Sequence, residues 1–347
     1  IGTVADIMPL IGENRAIVAL GLEMINNCDN LGLTKLLASA GVINKTIDSN
    51  TIGFALAPRI NAAGRMSSAM RVVELFMEDD GERAHYEAEE LCALNKERQE
   101  IEINIFKQVL DVIGDVYDAK RDHAIVVAGE GWHHGVIGIV ASKITEKFGC
   151  PTILISLDGD EGSGSGRSIG SMNLYAALAR SKDILIKYGG HAMAVGLSIR
   201  RENIDELRHK INDEAAVQLD GFTRSIKVDF KAEPKYLTIP EIEGLKVLEP
   251  FGNANLEPCL RIDDAVVQGI EAIGNGRFMR LTLVKDGTYL PCVCFKKTVK
   301  DIWFTDGDEV DAVFEPSIND FRGRNVQLVL RDIRPRESKW IAIHETL

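Results

Sequence analysis

No stretch of this sequence reaches the ~18 consecutive apolar residues that a membrane-spanning helix needs. Nothing at its start reads as a signal peptide. A cytoplasmic chain with no membrane partner is expected. Cysteine is scarce, with six in 347 residues: Cys28, Cys92, Cys150, Cys259, Cys292 and Cys294. None forms a C-x-x-C pair or has a histidine at zinc spacing, so finger- and ribbon-type zinc sites are excluded. Core thiols in a reducing compartment fit better than a disulfide framework. Positive charge is also in deficit, with 40 Lys and Arg against 52 Asp and Glu. Residues 1–119 hold 10 basic and 19 acidic side chains, whereas residues 120–215 hold 12 of each. The excess acid therefore sits early in the chain. A basic sheath over the whole surface is excluded, but local basic grooves are not. An initiator methionine is missing at Ile1, so the chain is expected to be a piece of a longer protein. Its length calls for two or three domains.

What the sequence does have is glycine in clusters. Gly162-Ser163-Gly164-Ser165-Gly166-Arg167-Ser168 follows an apolar strand-like segment (152–157) and precedes a helix-like one (174–186). Read as a turn, it joins glycines that let a backbone approach a ligand to N–H groups that converge on an anion. Ser165 and Ser168 add hydroxyls, and Arg167 adds a planar fork suited to phosphate. A second cluster runs from Gly189-Gly190-His191 to Gly196, with a strand expected over 192–199. A third is Trp132-His133-His134-Gly135. The bland reading of each is a flexible loop. Three in one region favour phosphate. The helix expected over 136–148 opens just after His133, and its free N–H groups favour an anion there.

Upstream, Thr3 to Ala5 reads as a strand with Asp6 at its carboxyl end, where ligands gather in open α/β sheets. Taken alone, Asp6 has a turn or cap as its plainer reading. Residues 54–65 read as a tight loop in which Arg59, Asn61 and Arg65 flank small residues and suit a phosphate contact. From 82 to 116 the sequence has no proline. Leu91, Leu94, Ile101, Ile105, Val109 and Val112 describe one helical stripe, predicting a connecting helix of roughly 50 Å that packs lightly between two domains. Strands and helices alternate over 121–219, as in a small α/β domain. Beyond 222, short strand-like runs at 225–231, 260–272, 278–285, 289–295, 309–315 and 326–333 suit a closed barrel of the OB type. Asn275-Gly276 and Asp286-Gly287 are hairpin signals. Phe278, Arg280, Tyr289, Phe321, Arg322 and Arg324 are candidates there for gripping a single strand.

Together these pieces resemble the RecJ single-strand-specific exonuclease family of the DHH phosphoesterase superfamily. The resemblance is carried by 2–6 (Gly-Thr-Val-Ala-Asp), 59–65 (Arg-Ile-Asn-Ala-Ala-Gly-Arg), 132–138, 164–168, 190–196 and Pro250-Phe251-Gly252-Asn253. It implies an α/β fold in four parts. These are a remnant of the catalytic domain (1–47), a linker with the arginine motif and a long helix (48–119), a DHH-associated α/β domain (120–220) and an OB barrel (221–347). It implies a 5′-to-3′ exonuclease of DNA repair and recombination that uses two divalent ions, Mn²⁺ or Mg²⁺. Asp6 is implied as a catalytic metal ligand and His191 as the residue facing the reacting phosphate. Ser165 and Arg167 are implied as the pocket for a 5′ phosphate, with Gly166 and Ser168 beside them among the nucleic-acid contacts. Arg59, Asn61, Arg65, His133, Gly189, Gly190, Arg280, Arg322 and Arg324 complete the nucleic-acid contacts. Single-stranded DNA with a 5′ phosphate is the expected partner, with a single-strand-binding protein or helicase beside it. The family's Asp-x-Asp and Asp-His-His metal motifs are read as absent, and only His133-His134 is adjacent, with no Asp before it. The metal site is therefore expected to be incomplete and the chain inactive alone. Alternatives from other classes are an inactive replication scaffold and a phosphodiesterase of short oligonucleotides or cyclic dinucleotides.

Overall fold

The computed structural model describes residues 1–42, 46–223, 225–320 and 323–336. Contacts divide the chain into two units: 27–46 with 53–225, and 1–26 with 47–52 and the residues from 226 onward.

Among the described residues up to 116 every regular element is a helix: α1 (Gly2–Ala5), α2 (Gly12–Asn26), α3 (Leu31–Ser39), α4 (Ser49–Thr51), a π-helical turn (Ile52–Leu56), α5 (Ala57–Met66), α6 (Met70–Phe76) and α7 (Gly81–Val116). Two expectations change here. Thr3–Ala5 is helix rather than strand, and Asp6 is its C-cap. A run this short has no periodicity to separate the two states. The arginine motif is helix rather than loop. Pro58 stands in the first turn of α5, where a missing N–H is no loss, and Ala62 and Ala63 are fully buried.

Next come β1 (Ile125–Glu130), α8 (His134–Phe148), β2 (Thr152–Asp158), β3 (Glu161–Arg167), α9 (Leu174–Arg180), β4 (Leu185–His191), β5 (Ala194–Arg200) and α10 (Ile204–Gln218). The sheet order is β1-β2-β3-β5-β4, with β1 and β2 parallel and the rest antiparallel. On one face α7 and α8 cover a core containing Ile105, Val109, Val136, Val140 and Leu154. On the other, Ile153, Ile155, Leu174, Leu178, Val195, Leu197 and Ile211 form a second core. The helix expected over 174–186 ends at Arg180, and Leu185 onward is strand. Helix α7 packs on α3, α5, α6, α8 and β1 of its own unit. It is packed along its length by that unit rather than lightly packed.

The other unit contains β6 (Phe230–Lys231), α11 (Ile239–Gly244), β7 (Leu260–Ile273), β8 (Phe278–Lys285), β9 (Thr288–Cys294), β10 (Glu309–Asn319) and β11 (Asn325–Pro335). Strands β7, β8, β9, β11 and β10 follow one another in pairs, and β10 pairs back onto β7 to close a five-stranded barrel. Its interior holds Ile262, Val267, Leu281, Leu283, Cys292, Phe314 and Leu330. The first expected strand shrinks to the two residues of β6. The hairpin signals hold: Asn275, Gly276, Asp286 and Gly287 all have positive φ, as type I′ turns require. The Pro250–Asn253 motif clasps the N-terminal segment. Asn253 Nδ2 donates to the Ile7 carbonyl (2.7 Å), and the Leu10 N–H donates to the Asn253 carbonyl (2.7 Å). A Cβ on Gly252 would lie 2.7 Å from Leu10 Cδ1. Among the described residues no helix is long and apolar enough to cross a membrane.

Candidate phosphate site on the α/β unit

The glycine-rich run is strand β3, paired with β2 on one side and β5 on the other. Its alternation divides two tasks. Gly162, Gly164 and Gly166 face the core, where added Cβ atoms would lie 2.6 Å from Ile155, 3.0 Å from Leu197 and 2.7 Å from Val195. Their φ values are not positive, so the expected turn is replaced by a strand that needs room. Ser165 and Arg167 point the other way, toward α8. A Cβ on Gly138 would stand 3.0 Å from both Ser165 Oγ and Arg167 Nη2. Arg167 Nη1 donates to Ser165 Oγ (3.1 Å) and to the Gly166 carbonyl (2.8 Å).

Cross-strand register extends this surface. Ser165 pairs with Gly196, and Gly196 with Gly189; Arg167 pairs with Ala194, and Ala194 with His191. Directly paired residues share a face. Ser165, Arg167, Gly189 and His191 thus lie on one side of the sheet, with exposed glycines leaving open backbone beside the two polar side chains. Gly190 lies on the opposite row, at φ 133°, and a Cβ there would meet the Ala194 carbonyl at 2.3 Å.

Arg65 reaches this place from the last turn of α5, donating from Nη1 to the Gly135 carbonyl (2.9 Å). The chains approach closely: a Cβ on Gly135 would be 2.7 Å from the Arg65 carbonyl oxygen. His133 is the N-cap of α8, its Nδ1 accepting the Gly135 N–H at 3.1 Å. His191 Nδ1 accepts the Met193 N–H at 3.2 Å. An accepting Nδ1 in a neutral ring leaves the proton on Nε2. Each histidine therefore offers an Nε2–H donor.

Neither Arg65 nor Arg167 is ion-paired among the described residues. Desolvation lowers the pKa of Arg167, with nearby Arg65 adding to it. Desolvation also lowers that of Arg65, reinforced by Arg98 and opposed by Glu102. Both guanidiniums stay charged at neutral pH, because their ordinary values are so high. Below them α7 buries Asn95, Arg98 and Glu102, each under 10% exposed. Arg98 Nη2 donates to Asn95 Oδ1 (2.7 Å), Arg98 Nη1 pairs with Glu102 Oε2, and Lys143 of α8 pairs with Glu102 Oε1. These residues were not among the sequence candidates. The apolar stripe steps seven positions from Leu94 to Ile101, passing over six polar residues, and a step of two turns stays on one face, so sequence alone did not mark them as buried.

Other candidates are placed elsewhere. Ser168 is buried, its hydroxyl donating to the Met172 carbonyl (2.7 Å) and its N–H to the Met193 carbonyl (2.9 Å). Its donors are engaged inside the fold. Gly166 is buried against the core. Arg59 Nη1 donates to the Ala55 carbonyl (2.6 Å) and Nε to Cys92 Sγ (3.2 Å), which anchors it on α7 and apart from Arg65. Asn61 is exposed on α5.

A sheet face with two unpaired arginines, a serine and open glycines beside a helix start carries the donors that an oxyanion needs. Residues 122–216 match the DHHA1 domain family, and residues 228–332 match the RecJ OB domain family. Across 338 residues the chain is 36% identical to the single-stranded-DNA-specific exonuclease RecJ of Bacillus subtilis (strain 168), covering 96% of this chain and 43% of that protein. The chain belongs to the RecJ family. The RecJ of Escherichia coli (strain K12) is 31% identical over 351 residues, covering 96% of this chain and 60% of that one. The crystal structure of Thermus thermophilus RecJ in complex with Mg²⁺ superimposes with a TM-score of 0.82 at 29% identity, covering 96% of this chain and 51% of that one. The chain thus spans about half the length of the relatives it matches.

The RecJ-type barrel carries a second set of candidates. Phe278, Arg280 and Tyr289 lie on the outer face of β8 and β9, opposite the buried Met279, Leu281 and Leu290. Phe278 meets Phe295 edge-on, with centroids 5.3 Å apart. Arg280 is ion-paired with Glu271, and Arg324 with Glu243 and Asp320. Phe321 and Arg322 lie outside the described residues. Phe295 and Trp303, 54% and 78% exposed, were missed because a sequence does not separate exposed from core aromatics.

RecJ structures with bound Mg²⁺ and Mn²⁺ are among the neighbours. Among the described residues of this chain, no group of three or more His, Cys, Asp or Glu side chains could hold a metal ion. Two Asp-Gly-Asp triplets that the sequence reading passed over are turn residues. Asp158–Asp160 joins β2 to β3. Asp306 accepts the Gly269 and Ile270 N–H groups, and Asp308 accepts that of Thr305. The described residues do not assemble a two-metal centre.

Proposed function

We propose that this chain is the strand-gripping part of a single-stranded-DNA exonuclease that works from the 5′ end in DNA repair and recombination. The α/β unit takes the terminal 5′ phosphate, and the barrel holds the following single strand. One observation carries this reading: Arg65 and Arg167 both lie against the first turns of α8, Arg167 beside Ser165, and neither is ion-paired among the described residues. A terminal phosphate carries about 1.5 to 2 negative charges near neutral pH, against one on an internal diester. Two desolvated guanidiniums therefore favour a phosphorylated end. The Nε2–H groups of His133 and His191 and the backbone at Gly189 supply further donors, His191 toward the phosphate that reacts. Divalent ions, Mn²⁺ or Mg²⁺, would need ligands beyond those the described residues bring together, Asp6 being the one this chain would add. A long strand rather than a cyclic dinucleotide is favoured because a closed barrel offers a second grip. A cytoplasmic setting and a single-strand-binding protein or helicase as neighbour fit this role.

The test is a competition titration with 5′-phosphorylated and 5′-hydroxyl oligodeoxynucleotides of one sequence at fixed salt. A charge-assisted hydrogen bond contributes about 1.5–3 kcal/mol, so Arg167→Ala should cost roughly ten- to a hundredfold for the phosphorylated strand and much less for the other. Arg167→Lys should recover part, since an ammonium makes no bidentate contact. Equal losses for both strands would reduce the site to a generic basic contact.

A further inference from the structure

Helix α7 buries Ala84, Ala88 and Leu91, then Asn95, Arg98 and Glu102, then Ile105, Val109 and Ile113. The middle three interrupt an apolar face. A buried ion pair rarely stabilises a fold more than apolar packing of the same volume. Stability alone is a weak reason to place one there, which directs attention to what the group supports.

Both oxygens of Glu102 are engaged, Oε2 by Arg98 and Oε1 by Lys143, and the other terminal nitrogen of Arg98 is held by Asn95. Lys143 belongs to α8, whose first turns carry Gly135 and Gly138 against Arg65 and Arg167. The network therefore ties α7 to the helix that shapes the phosphate site. Arg65 senses both Arg98 and Glu102. The set has four cations, Arg65, Arg98, Lys143 and Arg167, and one carboxylate. Without that carboxylate, Arg98 and Lys143 would stand uncompensated near Arg65.

We propose that Glu102 is the positioning residue of this site: it gathers Arg98 and Lys143 into a buried support that leaves Arg65 and Arg167 as the cations offered to a terminal phosphate, and so sets the preference for a phosphorylated strand end. This rests on the phosphate reading above and adds to it a residue that does not touch the ligand.

Charge counting and positioning predict opposite signs. Glu102→Gln raises the positive surplus, so a purely electrostatic site would bind the phosphorylated strand more tightly. A positioned site loses its geometry and binds it more weakly. The measurement is the affinity of the full chain for 5′-phosphorylated and 5′-hydroxyl strands at fixed salt, with circular dichroism as the folding control. The preference should fall about tenfold in Glu102→Gln, the equivalent of one charge-assisted hydrogen bond, while affinity for the hydroxyl strand stays within about twofold. Lys143→Met, at a half-exposed position that folding tolerates, should move the preference the same way by less. In an Arg65→Gln background, Glu102→Gln should change the ratio no further, since the two act through one contact. Should Glu102→Gln fail to fold, the Lys143→Met and Arg65→Gln cycle decides by the same criterion. Tighter binding of the phosphorylated strand, or equal weakening of both strands in a folded variant, overturns the proposal. A preference present in the native chain and intact in the variants overturns this inference alone; no preference in the native chain overturns the phosphate reading with it.

Discussion

Gly166 has no room for a side chain. An added Cβ would lie 2.7 Å from Val195 Cγ2, 2.9 Å from Leu174 Cδ2 and 3.1 Å from Ile153 Cγ1. Three branched side chains of a close-packed core would have to move together. Gly166→Ala should therefore destabilise the chain by about 1–3 kcal/mol, the usual cost of overpacking. Urea unfolding of the variant checks this, and a neutral result would mean that the strand flexes as a loop does. The same alternation turns Ser165 and Arg167 to the opposite face. One strand thus builds core with its even positions and site with its odd ones. Cys150 shows the complementary effect of burial, which pushes its thiol up to about 11 and keeps it protonated and unreactive near neutral pH.

Helix α7 is the element on which the α/β unit is assembled. It runs for 36 residues, and its partners α3, α5, α6, α8 and β1 lie along it. Its start is defined by Asp80, which accepts the N–H groups of Glu82 (2.9 Å) and Arg83 (2.8 Å). An N-cap aspartate satisfies donors that the helix cannot and suits the positive end of the dipole. Asp80→Ala should lower stability by about 1 kcal/mol. Thermal unfolding should register that loss with no change in the strand-end preference, because Asp80 touches none of the phosphate-site residues. A change in the preference would instead mean that fraying at the first turn reaches Arg98.

Taken over all 347 residues the chain is acidic, with a formal net charge of −12. It should nonetheless bind single-stranded DNA through local cation clusters. Phosphate contacts release counterions, so log K should fall with log salt by about 0.7 per contact on a single strand. Titration of one oligonucleotide across a salt series measures this slope. A flat response, or equal affinity for duplex, would count against the reading. The same samples, incubated with Mn²⁺ and 5′-phosphorylated single strands, should show binding without rapid degradation, since the residues described do not assemble a metal centre.

Local rules settled the strands and hairpins of the barrel. Alternating apolar residues and paired positive-φ turns specify strands and hairpins through contacts between neighbours in sequence, and five of the six expected runs are strands near their expected bounds. They also settled the long helix, since 35 residues without proline and with one stripe admit little else. The order of motifs carried the family. What local rules left open was which way each glycine, arginine and serine faces. The run at 162–168 reads alike as turn or strand, because glycine and serine carry no periodic hydrophobic signal; pairing with β2 and β5 resolved it. Arg59 and Arg65 look equivalent in sequence, but six residues on a helix send them to different neighbours, one to Cys92 and one to Gly135. Ser168 and Ser165 likewise look alike until burial engages one and opens the other. The support under the site was hidden for the same reason. Asn95, Arg98 and Glu102 read as solvated helix surface until α8 brings Lys143 to them, and only long-range packing decides which face of a helix is inside.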